Sequence, residues 1–288
     1  RRDDAEDHRH REHRVRTHRC HRTMRRAGGG GGRCVAAHPT SMHPRPGPAG
    51  ALGRIFTVPG PYAGTVSALA EPEVDSTTVA PPTALRDCIG RQVGYRMVGY
   101  EPGEHVGMPS TALTLILSFD EPLTMSALPD PGQSPTSLWT VISGVHDAPA
   151  VIEHDGNQHG VQLDLTPVGV RALFGVPAAA LGPSVVSLEE LMGLAAQELL
   201  ERTWDARSWA DRFAHVDTAL TELRARHEGR PGDTVRPELA WAWGQITRSG
   251  GAVQVDTLAD ELGWSRRHLS GRFRAEFGVT PSTARRLA

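Results

Sequence analysis

Between Gly263 and Ala288 stand six arginines, Arg266, Arg267, Arg272, Arg274, Arg285 and Arg286, against one acid, Glu276, a net charge of +5. The whole chain of 288 residues carries a formal charge of only −2. A guanidinium can grip a phosphate, and it can pair bidentately with the major-groove edge of guanine. Such a local excess of positive charge is the electrostatic footprint of a nucleic-acid surface. A solvated arginine face is the plainer alternative, because the chain contains no lysine and every basic surface must use arginine or histidine.

Positioning those arginines requires a helix, a tight turn and a second helix, and residues 256–278 read that way. Asp256 or Thr257 can cap the first helix, since a short side-chain oxygen accepts from the orphan N–H groups there. Leu258, Ala259 and Leu262 give it one apolar face, and Gly263 can end it with a positive φ. Ser265 can cap the second helix. Leu269, Phe273 and Phe277 recur every fourth residue and stack on one side of it. Gly278 closes it, with Pro281 shortly after. Arg266, Arg267, Ser270 and Arg274 then project away from the apolar stripe. In a helix-turn-helix the second helix enters the major groove, and its N-terminal residues touch base edges.

Residues 256–281 resemble the first helix-turn-helix of the AraC family of bacterial transcription regulators. The resemblance rests on Leu258-Ala259, Leu262-Gly263, Ser265, His268-Leu269, Arg272-Phe273-Arg274, Phe277-Gly278 and Thr280-Pro281. Residues 237–243, from Pro237 to Trp243, look like the family's leading helix. The resemblance implies a DNA-binding function, carried by Ser265, Arg266, Arg267, Ser270, Arg272 and Arg274. It also implies two positions that often read bases, here Ser270 and Gly271. Gly271 has no side chain, so Arg267 becomes the first choice for base contact, with Arg266, Arg272 and Arg274 on phosphate or in packing. Members of the family usually carry two such units joined by a long helix. This sequence ends at Ala288, inside the place of that helix, so a C-terminally truncated member lacking the second unit is the expectation.

The remaining numbers set bounds on the class. The length allows two domains. Hydrophobic residues make up 39%, and no apolar run approaches the ~20 residues needed to cross a bilayer. No signal peptide is visible, because the charged start is followed by no apolar stretch. The three cysteines, Cys20, Cys34 and Cys88, form neither a disulfide framework nor a CxxC site. The expectation is a soluble, cytoplasmic protein. Residues 1–83 are rich in Arg, His, Gly and Pro and lack hydrophobic periodicity, which reads as a disordered tail. Its cluster His8, His10, His13, His18, Cys20 and His21 lacks the paired spacing of a metal-binding unit.

From residue 84 the chain acquires order. Residues 84–93 read as a short helix, and residues 93–100 and 112–119 as strands, the second one buried, with Pro102-Gly103 as a turn between them. Residues 122–135 read as a polar, proline-rich loop. Residues 138–145, 150–153 and 161–165 read as further strands, with Asp155-Gly156-Asn157 as a hairpin turn. Pro167 opens a helix that Gly175 ends. Strands followed by helices give an α+β class: a small antiparallel β domain with packed helices, then an all-α helix-turn-helix domain. The segment 94–181 resembles the sensing domain of one branch of the AraC family, on Pro109-Ser110, the run from Leu117 to Pro122, Gly144-Val145-His146 and the run from Gly160 to Pro167.

Enzymatic chemistry finds little support in this segment. His105, His146, His154 and His159 stand near Glu104, Glu153, Asp155 and Asp164, but without the strand spacing of a two-His, one-acid metal site. No Gly-x-Ser-x-Gly, GxGxxG or Walker sequence appears. Residues 187–203 offer a capping box, Ser187 with Glu190, opening one amphipathic helix. Trp209, Phe213, Val216, Leu220 and Leu223 then form a narrow apolar seam, which can close on the preceding helix or on the same helix of a second protomer. The organisation expected is a tail (1–83), a sensing or dimerisation domain (84–228), a linker (229–236) and a DNA-binding domain (237–288). Promoter DNA, a small-molecule effector and a second copy of the chain are the expected partners, with no enzyme activity, cofactor, metal or membrane. The rival is a small-molecule-binding or metal-dependent β domain whose helical tail makes protein contacts.

Overall fold

The computed structural model describes residues 72–288. The histidine cluster, Cys20 and Cys34 lie outside the described residues. Among the described residues, ten strands form two antiparallel sheets. The larger sheet uses β1 (Glu73–Val79), β2 (Ile89–Val98), β4 (Leu113–Ser118), β7 (Thr140–Ser143), β9 (Gln158–Leu165) and β10 (Val185–Val186), in the order β1-β2-β9-β4-β7-β10. The smaller one uses β3 (Gly103–Gly107), β5 (Leu123–Ala127), β6 (Thr136–Leu138) and β8 (Ala150–His154), in the order β3-β8-β5-β6.

Strand β4 explains the layering. Its near-continuous apolar run fits a strand covered on both faces. Ile116 joins Val141, Met125 and Ile152 between the two sheets. Leu115 and Leu117 point the other way and share a core with Leu163 of β9 and with Phe213, Val216 and Leu220 of the helical layer. Small sheet, large sheet and helices therefore stack in that order.

The helical layer comprises α1 (Pro167–Phe174), α2 (Glu189–Met192), α3 (Leu194–Asp205) and α4 (Trp209–His227). Ser208 caps α4 by accepting from the Asp211 amide. The apolar seam of α4 is spent inside the chain, on α3 and the large sheet, rather than left for a second protomer. Gln92 of β2 donates to Asp217 of α4 at 2.9 Å, which pins the helix to the sheet. Gly94 leaves room for Trp209 against β2, since a Cβ there would run into the indole ring.

Several expectations are corrected by these elements. Residues 84–93 are not a helix: a 3₁₀ turn at Thr83–Leu85 leads into β2 at Ile89. Residues 73–79, expected within the tail over 1–83, instead form β1, which pairs with β2 from Glu73 to Val79. The loop expected over 122–135 contains β5, which pairs with both β6 and β8. Gly103 starts β3 instead of completing a turn. Residues 187–203 are two helices, because Gly193 breaks them at φ 59°. The Ser187 hydroxyl accepts from the Glu189 amide, and Leu188 occupies the cap position.

The chain closes with α5 (Pro237–Arg248), α6 (Val255–Glu261), α7 (Arg266–Phe277) and α8 (Pro281–Leu287). Leu239, Ala242, Trp243 and Ile246 bury one face of α5. Trp243 meets two rings of α7, with centroids 5.4 Å from Phe273 and 4.6 Å from Phe277.

Candidate nucleic-acid interface

The turn between α6 and α7 is built by Gly263, whose φ of 65° suits a residue without a Cβ. The Trp264 amide then returns to the Ala259 carbonyl at 2.8 Å. Ser265 takes the cap of α7, its hydroxyl accepting from the His268 amide at 3.2 Å. The cap expected on α6 is not formed: Gln254 holds that position and no side chain caps it. Asp256 lies one residue inside the helix and pairs with Arg266 at 2.8 Å.

Leu269, Phe273 and Phe277 are fully buried and fix the rotation of α7. Arg266, Arg267, Arg272 and Arg274 are consequently exposed, and Ser270 is half-buried. Ser265, Arg267, His268, Gly271 and Arg272 line one shallow, open depression. Arg267, Ser270 and Gly271 are spaced by three and four residues, which makes them neighbours on the helix surface. A Cβ added at Gly271 would touch nothing within 4 Å, so the helix has an open notch beside Arg267.

The six arginines do not act as one surface. Among the described residues, Arg267, Arg272 and Arg274 meet no carboxylate. Arg266 is held by Asp256, with both side chains well exposed, and a surface pair of this kind contributes only about 0–1 kcal/mol. A phosphate can therefore displace it at little cost. Arg285 donates to the Gly251 carbonyl at 2.9 Å, and Arg286 pairs with Asp147 at 3.1 Å. The structure also adds a supporting group that the sequence did not single out. Trp264 packs edge-on against His268, with centroids 4.8 Å apart, and the Arg236 guanidinium lies 5.5 Å above its ring.

Gly271→Ala is expected to raise stability by about 0.5–1 kcal/mol, because a glycine inside a helix is replaced where the new methyl has free space. Chemical denaturation measures this. Lower stability would mean that the notch is not open.

The histidines of the β-rich part separate into distinct roles. His105 and His154 sit side by side across β3 and β8, with ring centroids 5.8 Å apart. Burial, helped by the neighbouring His154, pushes His105 down to about 4, so its ring is neutral at pH 7. His159 bridges Asp120, 3.0 Å from Nδ1, and Arg212, 2.9 Å from Nε2. Burial lowers its pKa, with the Asp120 carboxylate opposing. His146 bonds the Ala148 carbonyl at 2.7 Å. Among the described residues, no three His, Cys, Asp or Glu side chains converge as a metal-holding group, and no helix is long and apolar enough to cross a membrane.

No family model and no curated protein matches the chain. Among solved structures, the AraC-like transcriptional activator CuxR is similar over 74% of this chain and 84% of its own, at 15% identity and a TM-score of 0.30. ToxT from Vibrio cholerae is similar over 74% of this chain and 98% of its own, at 8% identity and a TM-score of 0.25. A ToxT structure with bound unsaturated fatty acid is similar at 9% identity and a TM-score of 0.22, over 77% of this chain and 98% of that one. The fold and the interface described above rest on their own geometry and not on these likenesses.

Proposed function

We propose that the chain is a sequence-specific DNA-binding transcription regulator of the AraC type, without enzyme activity. Residues 237–288 bind promoter DNA, residues 229–236 link, and the part from β1 at Glu73 to residue 228 senses a small-molecule effector or pairs with a second copy. The observation that carries this reading is the α7 surface. A helix capped by Ser265 and rotated by three buried apolar residues presents Arg267, His268, the open notch at Gly271 and Arg272 on one exposed face, with half-buried Ser270 at its edge. That face suits a major groove, where arginine reads guanine and flanking arginines grip phosphate. Arg266 and Arg274 extend the phosphate contacts on either side.

Binding of the full chain to a pool of selected duplexes and to a random duplex, across a salt series, tests the reading. The expected result is a steep loss of affinity with salt and a clear preference for selected sites. Steep salt dependence without preference would reduce the function to nonspecific binding. Absence of binding even at about 50 mM salt would overturn it.

A further inference from the structure

The edge of the smaller sheet brings together two histidines that the DNA-binding reading does not use. In the antiparallel pair of β3 and β8, Gly103 stands opposite His154, and His105 stands opposite Ile152. His105 and His154 are therefore diagonal neighbours on one face, close enough for their rings to meet. That face is turned toward the larger sheet, since Ala150 and Ile152 are buried on it and Ile152 belongs to the core between the sheets. The two rings lie with centroids 5.8 Å apart at an interplanar angle of 35°. A Cβ on Gly103 would stand 3.9 Å from Cε1 and Nε2 of His154, so the glycine leaves that ring edge uncovered.

Both residues are half-buried. In the β-rich part, the hydrogen bonds made by described histidine rings belong to His146 and His159, and among the described residues neither His105 nor His154 has a partner. A neutral imidazole carries one donor and one acceptor, and leaving them unpaired in a half-buried place is unfavourable. The nitrogens nevertheless keep contact with solvent: the one fully buried, unpartnered side-chain atom among the described residues is Oε1 of Gln92. A lone pair that solvent can reach and that meets no donor of the chain is open to a cation. Imidazole nitrogen suits zinc, copper and nickel ions. Two imidazoles on one tetrahedral zinc, bonded at about 2.0–2.1 Å, bring their centroids to roughly 5 Å, which a modest rotation of either ring achieves. Glu104 and Glu153, opposite each other on the outer face of the same strands, add negative charge nearby.

We propose that His105 and His154 form a binding site for a divalent cation of the zinc class, and that the ion clamps β3 to β8. The pair supplies two ligands, and no third His, Cys, Asp or Glu of the described residues converges on it, so water fills the rest of the coordination shell. In its sheet β3 pairs with β8 alone, and the bound ion holds this edge strand in place. The site stands whether or not the chain binds DNA.

The test uses the full chain and zinc ion at pH 7. His105→Gln and His154→Gln each remove one ligand and keep a polar side chain. Zinc taken up by the other histidines is common to all three chains, so the comparison isolates the pair. Equilibrium dialysis is expected to find one more zinc per chain in the parent than in either variant. Zinc at about ten times the dissociation constant of that ion should raise the parent's unfolding midpoint by roughly 3–6 °C, a rise that both variants lack. Equal zinc counts in the three chains would overturn the site, and so would a loss confined to one variant, because both rings must ligate. An extra zinc without a rise in midpoint would overturn the clamp. If a variant does not fold, a zinc-soaked crystal of the parent decides: an anomalous peak about 2.0–2.1 Å from a nitrogen of each ring is expected, and an empty gap between the rings would refute the proposal.

Discussion

Replacing Arg267 with alanine is expected to flatten the base preference of DNA binding while leaving most of the affinity for random DNA. Arg267 is the second residue of α7, in the first turn, where a recognition helix touches base edges. Its side chain is exposed and, among the described residues, meets no carboxylate that must be displaced first. The notch at Gly271, one turn further on, leaves room for the guanidinium to lie against a base pair. A bidentate arginine–guanine pair is worth about 1–3 kcal/mol of discrimination, so the ratio between the best site and its single-base variants should shrink by roughly 5- to 150-fold at one position. Arg274→Ala should instead weaken all duplexes alike and reduce the salt slope by about one. Arg266→Ala should do the same to a smaller degree, because Asp256 already neutralises that cation. Competition binding with a panel of single-base variants separates the cases. A uniform loss across the panel for Arg267→Ala would assign it to phosphate and leave base readout without its main residue.

The contrast between Arg267 and Arg286 shows how far the sequence reaches. Local pattern sufficed for α7: the four-residue recurrence of Leu269, Phe273 and Phe277, the cap at Ser265 and the glycines at both ends determined which residues face out. It sufficed for β4 as well, because a strand covered on both faces must be apolar throughout. It failed where the deciding partner is remote. Arg286 belongs to the same basic stretch as Arg267, yet Asp147 engages it from 139 residues away. Glu276 looked like the lone acid of a basic region and is instead held by Arg171 across 105 residues. Strand β1 carries no inward apolar face and is mostly exposed, so only its seven-residue ladder with β2 makes it a strand. Strand β5 lies among prolines, and just two of its residues, Leu123 and Met125, are buried. The capping-box spacing at Ser187 goes unused, because Leu188 holds the cap position without a side-chain bond, and the backbone at Gly193 ends the helix after one turn.

Phe273→Ala is expected to be the most destabilising change at the interface although it touches no proposed DNA contact. The ring is fully buried between Trp243 of α5 and Phe277 of α7, with centroids at 5.4 and 4.6 Å. Truncation removes its transfer energy and leaves a cavity that two large aromatic neighbours cannot fill without moving, a loss of about 3–5 kcal/mol. Against a total stability of about 5–15 kcal/mol, that is a large share. For a chain of this size the unfolding midpoint should fall by roughly 6–20 °C. The same ring sets the rotation of α7, so DNA binding should fade at temperatures where the parent chain still binds, and cooling should restore it. Thermal denaturation with and without duplex, set beside Arg267→Ala, distinguishes the two kinds of loss: Arg267→Ala changes base preference at an unchanged midpoint, whereas Phe273→Ala lowers the midpoint and keeps the preference of whatever fraction remains folded. A fall of less than about 1 kcal/mol would contradict the packing of α5 against α7, and with it the reason Arg267 faces outward at all.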